Sequence, residues 1–234
     1  MREMLKDWYK AEKEKMSEMT KEEKIDYVTT YYKGWLIFAL ILLLLLVWIP
    51  CHFIFGNEKQ GFLCGAVNCV TARGGLALSE DLDAYFDFED KKEYAYFDTD
   101  YQIAYPGVDN EAADNSFYEK FFLNIRMGVM DASIMPLSYM EYCNDLERMF
   151  YDVTEILNEE QVEKYRPFFV KGKDEEGNEY ICGIDISGFA FIEKEEVSFV
   201  SVNEKDSFIL AFPVTGKQQE RCRQFMDFLE KYEE

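Results

Sequence analysis

A single histidine, His52, stands in the whole chain, and it sits at the edge of an apolar run. So placed it cannot serve Ser-His-Asp or Cys-His chemistry in the rest of the sequence. No Cys-x-x-Cys pair or Cys/His cluster occurs among the six cysteines, so the spacing of a zinc site is missing. A phosphate-cradling loop is missing too. Thr215-Gly216-Lys217-Gln218 keeps a Gly-Lys pair but lacks the earlier glycine and the Ser or Thr that would hold magnesium. The acids Asp81, Asp83 and Asp87, or Asp98 and Asp100, lack the Asp-x-Asp-x-Asp-Gly order of a calcium loop. Basic residues are few, 25 against 46 acids for a net charge of −21, and such a chain repels phosphate backbones, which disfavours nucleic acid. These absences predict no metal, no cofactor and no enzyme. The one catalytic device left open is a carboxylate pair, which no spacing in the sequence selects.

What is present begins with Gly34 to Phe55, GWLIFALILLLLLVWIPCHFIF, a run without Asp, Glu, Lys or Arg. As a helix it would measure about 33 Å, slightly more than the roughly 30 Å of bilayer hydrocarbon. Trp35, Trp48 and Phe53 near its ends, with Tyr31, Tyr32 and Lys33 before it, are interfacial anchors. The run therefore predicts a transmembrane helix, with the lipid bilayer as the first partner. Lys15, Lys21, Lys24 and Lys33 precede it and only Lys59 and Arg73 follow closely, so the positive-inside rule puts the N-terminus in the cytoplasm and the C-terminal domain outside. A cleaved leader fits poorly, because the preceding segment and the apolar run are too long and Trp48-Ile49-Pro50 stands where small residues would precede Cys51. The expected organisation is a cytoplasmic helical segment at 1–33, a signal-anchor helix at 34–55, a linker at 56–60 and an extracytoplasmic domain at 61–234. Charges balance through residue 55, so the whole −21 falls on the outer domain.

Before the span, residues 2–17 read as an amphipathic helix, and Thr20 to Glu23 is a capping box that starts a second helix running on toward the membrane. Beyond it, Gly61 to Val70 is a strand-length apolar run expected to be covered on both faces. Leu78, Leu82 and Tyr85 mark a helix over 76–86, and Glu93 to Asp98 a strand. Asp109 to Met127 reads as a helix, with Phe117, Phe121 and Ile125 four apart and Gly128 at its left-handed cap. Val129 to Met135 is a strand and Pro136 opens the next helix. Asn158 to Gln161 is a second capping box. The turn Asp174 to Asn178 joins Phe168–Val170 to Tyr180–Ile184 as a hairpin. Ser207 to Phe212 is a strand. The last helix, 216–232, aligns Cys222, Phe225, Met226, Leu229 and Tyr232 on one face. Alternating strands and helices predict an α/β fold, a layered mixed sheet with flanking helices preceded by one transmembrane helix. The five cysteines after the span are expected to be mostly buried free thiols, a Cys64–Cys69 bridge remaining open.

Several of these stretches share a resemblance. Gly128-Val129-Met130-Asp131-Ala132, the helix at Ser138 to Asn144, Phe150 to Leu157 and Tyr180 to Asp185 resemble part of the extracellular solute-binding proteins of bacterial ABC importers. The ending FILAFPVTGKQQERCRQFMDFLEKYEE is similar to that family's closing strand, loop and helix, and Lys21 to Trp35 resembles the juxtamembrane region of short single-pass proteins of Gram-positive bacteria carrying a reduced version of the domain. The resemblance implies a reduced solute-binding-like lobe, shorter than the two-lobed family and with a helix in place of its lipid anchor. It implies a membrane-anchored binding or sensing module for a small solute. Because α/β sheets bind ligands at the carboxyl ends of their strands, Tyr101, Asp131, Tyr139 and Asp185 are the candidate ligand-binding residues. The alternative is an envelope interaction protein that docks another membrane protein without a small ligand.

Overall fold

The structure is a computed structural model that describes residues 2–55, 58–200 and 206–232. It divides into two compact units, Met1–Asn57 and Glu58–Glu234. Positions 56 and 57 of the expected linker, and the side chains of Met4, Leu5 and Phe53, lie outside the described residues.

The first unit consists of α1 (Arg2–Ser17), α2 (Lys21–Tyr31) and α3 (Lys33–Phe55). The capping box forms as the sequence predicts: the Thr20 N–H donates to the Glu23 carboxylate at 2.8 Å, and the Glu23 N–H donates to Thr20 Oγ1 at 3.4 Å. The expected unbroken run from α2 into the apolar helix is interrupted at Tyr32, whose φ of −105° and ψ of 9° leave the helical region for one residue. Helix α3 contains the one stretch among the described residues long and apolar enough to cross a membrane, Lys33–His52, with a mean hydropathy of 2.6 and none of it buried. Leu42 to Leu46 are each 44–65 % exposed, whereas a leucine run in a soluble core would be covered.

The second unit holds β1 (Lys59–Val67), β2 (Cys69–Val70), α4 (Gly74–Phe86), β3 (Glu93–Tyr101), α5 (Asn115–Arg126), β4 (Ala132–Pro136), α6 (Leu137–Leu146), α7 (Val153–Ile156), α8 (Glu159–Tyr165), β5 (Phe169–Lys173), β6 (Glu179–Asp185), α9 (Ala190–Lys194), β7 (Ser198–Phe199), β8 (Phe208–Ala211) and α10 (Gln219–Glu230). Six strands form one mixed sheet in the order β3-β1-β4-β8-β6-β5, and β2 pairs with β7 in a separate ribbon. Strand β1 runs parallel to β3 and β4; β8 is antiparallel to both β4 and β6, and β5 is antiparallel to β6. The architecture is thus the expected mixed α/β sheet with flanking helices.

Alternation along the strands builds two cores. Phe62, Cys64 and Ala66 of β1, with Ala132 and Ile134 of β4 and Leu210 of β8, face one layer, where α4, α7, α8, α9 and α10 supply Leu82, Ile156, Tyr165, Phe191 and Phe225. Leu63, Val67, Met135, Ile209 and Ala211 face the other, covered by α5 and α6 through Phe121, Ile125, Tyr139 and Cys143. Burying one such Phe or Leu side chain contributes about 1.5–3 kcal/mol. The face predicted for the last helix is the buried one: Cys222, Phe225, Met226, Leu229 and Tyr232 are all covered. All six cysteines are free, the five after α3 buried, so no Cys64–Cys69 bridge forms.

Several boundaries differ from expectation: α4 begins at Gly74 rather than at 76, β3 runs on to Tyr101, β5 spans Phe169–Lys173, and α10 spans Gln219–Glu230 rather than 216–232. Helix α5 starts at Asn115 instead of Asp109, because Asp114 takes the N-cap and its carboxylate accepts the Ser116 N–H at 2.7 Å. Strand β4 starts at Ala132, three residues late. The apolar run at Gly61 to Val70 splits at Asn68, whose φ of 52° ends β1.

Candidate functional site

Helix α4 joins β1 to β3 over one face and α5 joins β3 to β4 over the other, so the connections diverge between β1 and β4. In an open α/β sheet the crevice at the carboxyl ends of such strands is where ligands bind. Here the chain's own groups fill it. Asn68, fully buried and left-handed, donates from Nδ2 to Ile103 O at 2.8 Å and accepts at Oδ1 from Ile103 N at 2.7 Å and Asn110 Nδ2 at 3.0 Å. Its backbone N–H donates to Tyr101 O and its carbonyl accepts from Val200 N, so every polar group it has is satisfied.

The other wall is the start of α6. Asp206 Oδ2 accepts from Ser138 N at 3.3 Å and from Ser138 Oγ at 2.5 Å. The serine proton being committed to the carboxylate, the Tyr105 hydroxyl donates to Ser138 Oγ at 2.7 Å. A carboxylate on the first turn of a helix satisfies free N–H groups and complements the positive end of its dipole. Burial, foremost, raises the Tyr105 pKa and the Ser138 bond opposes it.

The four sequence candidates are not assembled into one site. Tyr101 ends β3, is fully buried, accepts from Asn124 Nδ2 at 2.8 Å and packs edge-on to Phe121; burial first, then Asp98, pushes its pKa up. Tyr139 lies in the first turn of α6, and Phe121 packs between its ring and that of Tyr101. Its wholly buried hydroxyl has the Cys143 thiol beside it and no hydrogen bond of good geometry among the described residues; burial, ahead of Cys143, raises its pKa well above the usual range. Asp185 ends β6 and closes a local turn, accepting from Ser187 N at 3.0 Å and Ser187 Oγ at 2.6 Å. Asp131 was expected at a carboxyl edge but precedes β4, at the sheet's opposite edge. There it accepts from Leu63 N at 3.1 Å and Lys217 N at 3.3 Å, tying β1 to the segment before α10. Its pKa is raised by burial, which outweighs those backbone donors. Tyr101, Asp131 and Asp185 thus make hydrogen bonds within the fold, whereas the Tyr139 hydroxyl does not.

A concavity of about 330 Å³ opens beside Asn110, between Ala104 and Tyr118, and two larger ones lie on the flank made by α5, α6 and the β5–β6 hairpin. A groove of about 600 Å³ is lined by Tyr118, Phe122 and Leu123 of α5 and Leu146 at the end of α6. A second, of about 620 Å³, shares Leu146 and Glu147 with it and continues between α6 and the hairpin. The sequence signal for the first groove is Leu123 and Met127, four apart and off the buried stripe of α5, 54 % and 61 % exposed. Tyr118 in that groove has its pKa pushed up to about 12, chiefly by its hydrogen bond to Tyr142. Among the described residues no group of three or more His, Cys, Asp or Glu is placed to hold a metal ion. No protein-family model, curated protein or solved structure matches this chain.

Proposed function

We propose that the chain is a membrane-anchored extracytoplasmic binding module that engages another protein through its surface and carries out no catalysis. Helix α3 is the anchor, with the N-terminal helices in the cytoplasm and the acidic α/β unit outside. That orientation rests on the lysines preceding α3. The observation that carries the binding mode is the occupation of the crevice between β1 and β4 by Asn68 and by the Tyr105-Ser138-Asp206 chain, while two concavities of about 600 and 620 Å³ lie on the open flank, against about 330 Å³ for the one beside Asn110. The second unit is also one compact body whose main sheet has six strands, with only a two-stranded ribbon beside it, and a solute clamped between lobes needs a second wall.

A second reading, binding of a small polar solute by a solute-binding-like lobe, has one observation in its favour. The buried Tyr139 hydroxyl lacks a well-formed hydrogen bond and its ring stacks edge-on against Tyr105, 5.0 Å between centroids, beside the crevice. One experiment separates the two. The full chain in lipid nanodiscs is heated with libraries of sugars, amino acids and short peptides, and a binder raises the midpoint through RT ln(1 + [L]/Kd). Protein docking predicts no stabilisation by sugars or amino acids; stabilisation by one of them that Tyr139→Phe abolishes replaces it with the solute reading. Protease added to intact cells tests orientation, and a protected C-terminal unit refutes it.

A further inference from the structure

The two grooves on the α5–α6 flank meet at Leu146 and Glu147 and form one continuous surface with two chemistries. One half is apolar. Leu123 and Leu146 are 54 % and 50 % exposed, Met127 beyond them 61 %, and Phe122 and Tyr118 form the floor. Isolated exposed leucines are ordinary, but a concave run of them alongside aromatic rings marks an interaction surface. The other half is acidic, lined by six carboxylates against Lys171 and Lys173. Some of that charge is already answered: Glu147 pairs with Arg126 at 3.3 Å and Glu179 with Lys171 at 2.8 Å. Glu141, Asp145 and Glu175 make no ion pair among the described residues.

This combination selects the occupant. The apolar half gives nothing to a metal ion or a polyamine. An anionic lipid surface or a nucleic acid is repelled by the acidic half and by the net charge of −21. A second copy of the unit would bring the same negative charge against itself. What complements both halves is a segment with apolar side chains on one part and Lys or Arg on the next, as an amphipathic basic helix presents. We propose that the α5–α6 flank docks a basic, amphipathic segment of a partner protein, its apolar residues seated against Leu123, Phe122 and Leu146 and its cations against Glu141, Asp145 and Glu175. This rests on the reading of the chain as a protein-binding module and names the surface and the chemistry of the partner. The apolar contacts supply the central anchors and the charges supply encounter rate and register.

The test uses the full chain in nanodiscs of zwitterionic lipid, titrated with a labelled amphipathic leucine–lysine peptide and its leucine–glutamate counterpart and followed by fluorescence anisotropy. The lysine peptide binds, the glutamate peptide does not, and the affinity falls as salt is added. Leu123→Asp with Leu146→Asp, and separately Glu141→Lys with Asp145→Lys, each weaken binding by about tenfold or more, the loss expected when an interface anchor is removed. All four positions are exposed, so the unfolding midpoint verifies that the variants still fold. Glu80→Lys with Glu89→Lys reverses equal charge at exposed positions in and after α4, on the other side of the sheet, and leaves the affinity unchanged. Absence of binding by the lysine peptide, an equal loss from the Glu80/Glu89 variant, or full affinity in the leucine variants overturns the proposal. These outcomes are read from peptide titration alone, whereas the protein-binding reading itself falls to stabilisation by a small solute, so the two failures are distinguishable.

Discussion

Replacing Arg73 with alanine is expected to be among the most destabilising single changes at the protein surface. Glu195 has no exposed side-chain area, and its carboxylate depends on Arg73 Nε at 2.8 Å, the Tyr232 hydroxyl at 2.5 Å and a longer bond from Arg73 N at 3.4 Å. Arg73 also donates to Asp81 and to the Tyr232 hydroxyl, so one guanidinium joins the middle of α4, the residue after α9 and the second residue after α10. Removing one partner of a buried ion pair costs about 3–5 kcal/mol because the other charge is stranded. The Arg73 side chain is itself 34 % exposed, and the tyrosine and backbone donors remain, so the low end applies, about 3 kcal/mol or roughly a hundredfold in the folding constant. For a unit spanning Glu58–Glu234, that is a fall of about 6–12 °C in the unfolding midpoint. Thermal and urea unfolding of the full chain in micelles, followed by circular dichroism, measures it. The double change Arg73→Met with Glu195→Met removes the stranded charge and should recover at least half of the loss, since replacing both partners is far cheaper than removing one. A loss below about 1 kcal/mol, the range of an exposed pair, or a double variant no better than the single one, refutes the reasoning.

Three other predictions concern the thiols, one carboxyl and the crevice. In a Cys51→Ser variant, a maleimide at mildly alkaline pH should label no cysteine of the native protein and five after denaturation, because burial raises the pKa of every remaining thiol; mass spectrometry counts the adducts. Asp131 holds its proton more tightly folded than unfolded, where its carboxyl titrates near 3.8, so its contribution to stability is present below 3.8 and lost as pH rises through the native value. Carbon-detected NMR of the carboxyl should place its titration above 3.8, and a native value below that reverses the sign. Asp206→Ala uncovers Ser138 N and Oγ at the start of α6 and should cost about 0.5–2 kcal/mol, the worth of a helix cap. If the crevice is a filled structural element, adding inorganic phosphate to this variant leaves its midpoint where chloride of equal ionic strength does.

Local devices were legible in the sequence because their causes are local. The Thr20–Glu23 and Asn158–Gln161 capping boxes, the turn at Asp174 to Asn178 and the left-handed Gly128, with φ of +64°, each depend on residues within a few positions of one another. The buried face of α10 was legible because Cys222, Phe225, Met226 and Leu229 repeat at the helical period, a series that Tyr232 continues just past the helix end. The short elements α7, α9 and β7 are two to five residues long, too brief for any period to register. The misplacement of Asp131 has a definite source. The apolar stretch Val129 to Met135 invites a strand from its first residue, but pairing with β1 starts at Ala132, and three residues are enough to move Asp131 off the strand and to its entry edge. Asn68 was hidden because its partners Ile103 and Asn110 lie 35 and 42 positions away. On α5 the apolar pattern was read as one stripe, Phe117, Phe121 and Ile125, and the second at Leu123 and Met127 was lost in it; only the burial of one and the exposure of the other tells them apart.

The closure of the crevice follows from strand direction. In the register of β4 and β8, Pro136 stands opposite Phe208 and Ser133 opposite Ala211, so the antiparallel β8 enters the sheet at the edge where β1 and β4 leave it. The residues just before β8 are thereby delivered to the start of α6: Leu137 N donates to Ser207 O, and Asp206 meets Ser138. A parallel strand in that position would have left by this edge and carried Asp206 to the far end of the sheet, and the N–H groups of α6 would face the crevice uncapped, as an anion site requires. One reversal of strand direction therefore turns the usual binding crevice of an α/β sheet into part of its scaffold.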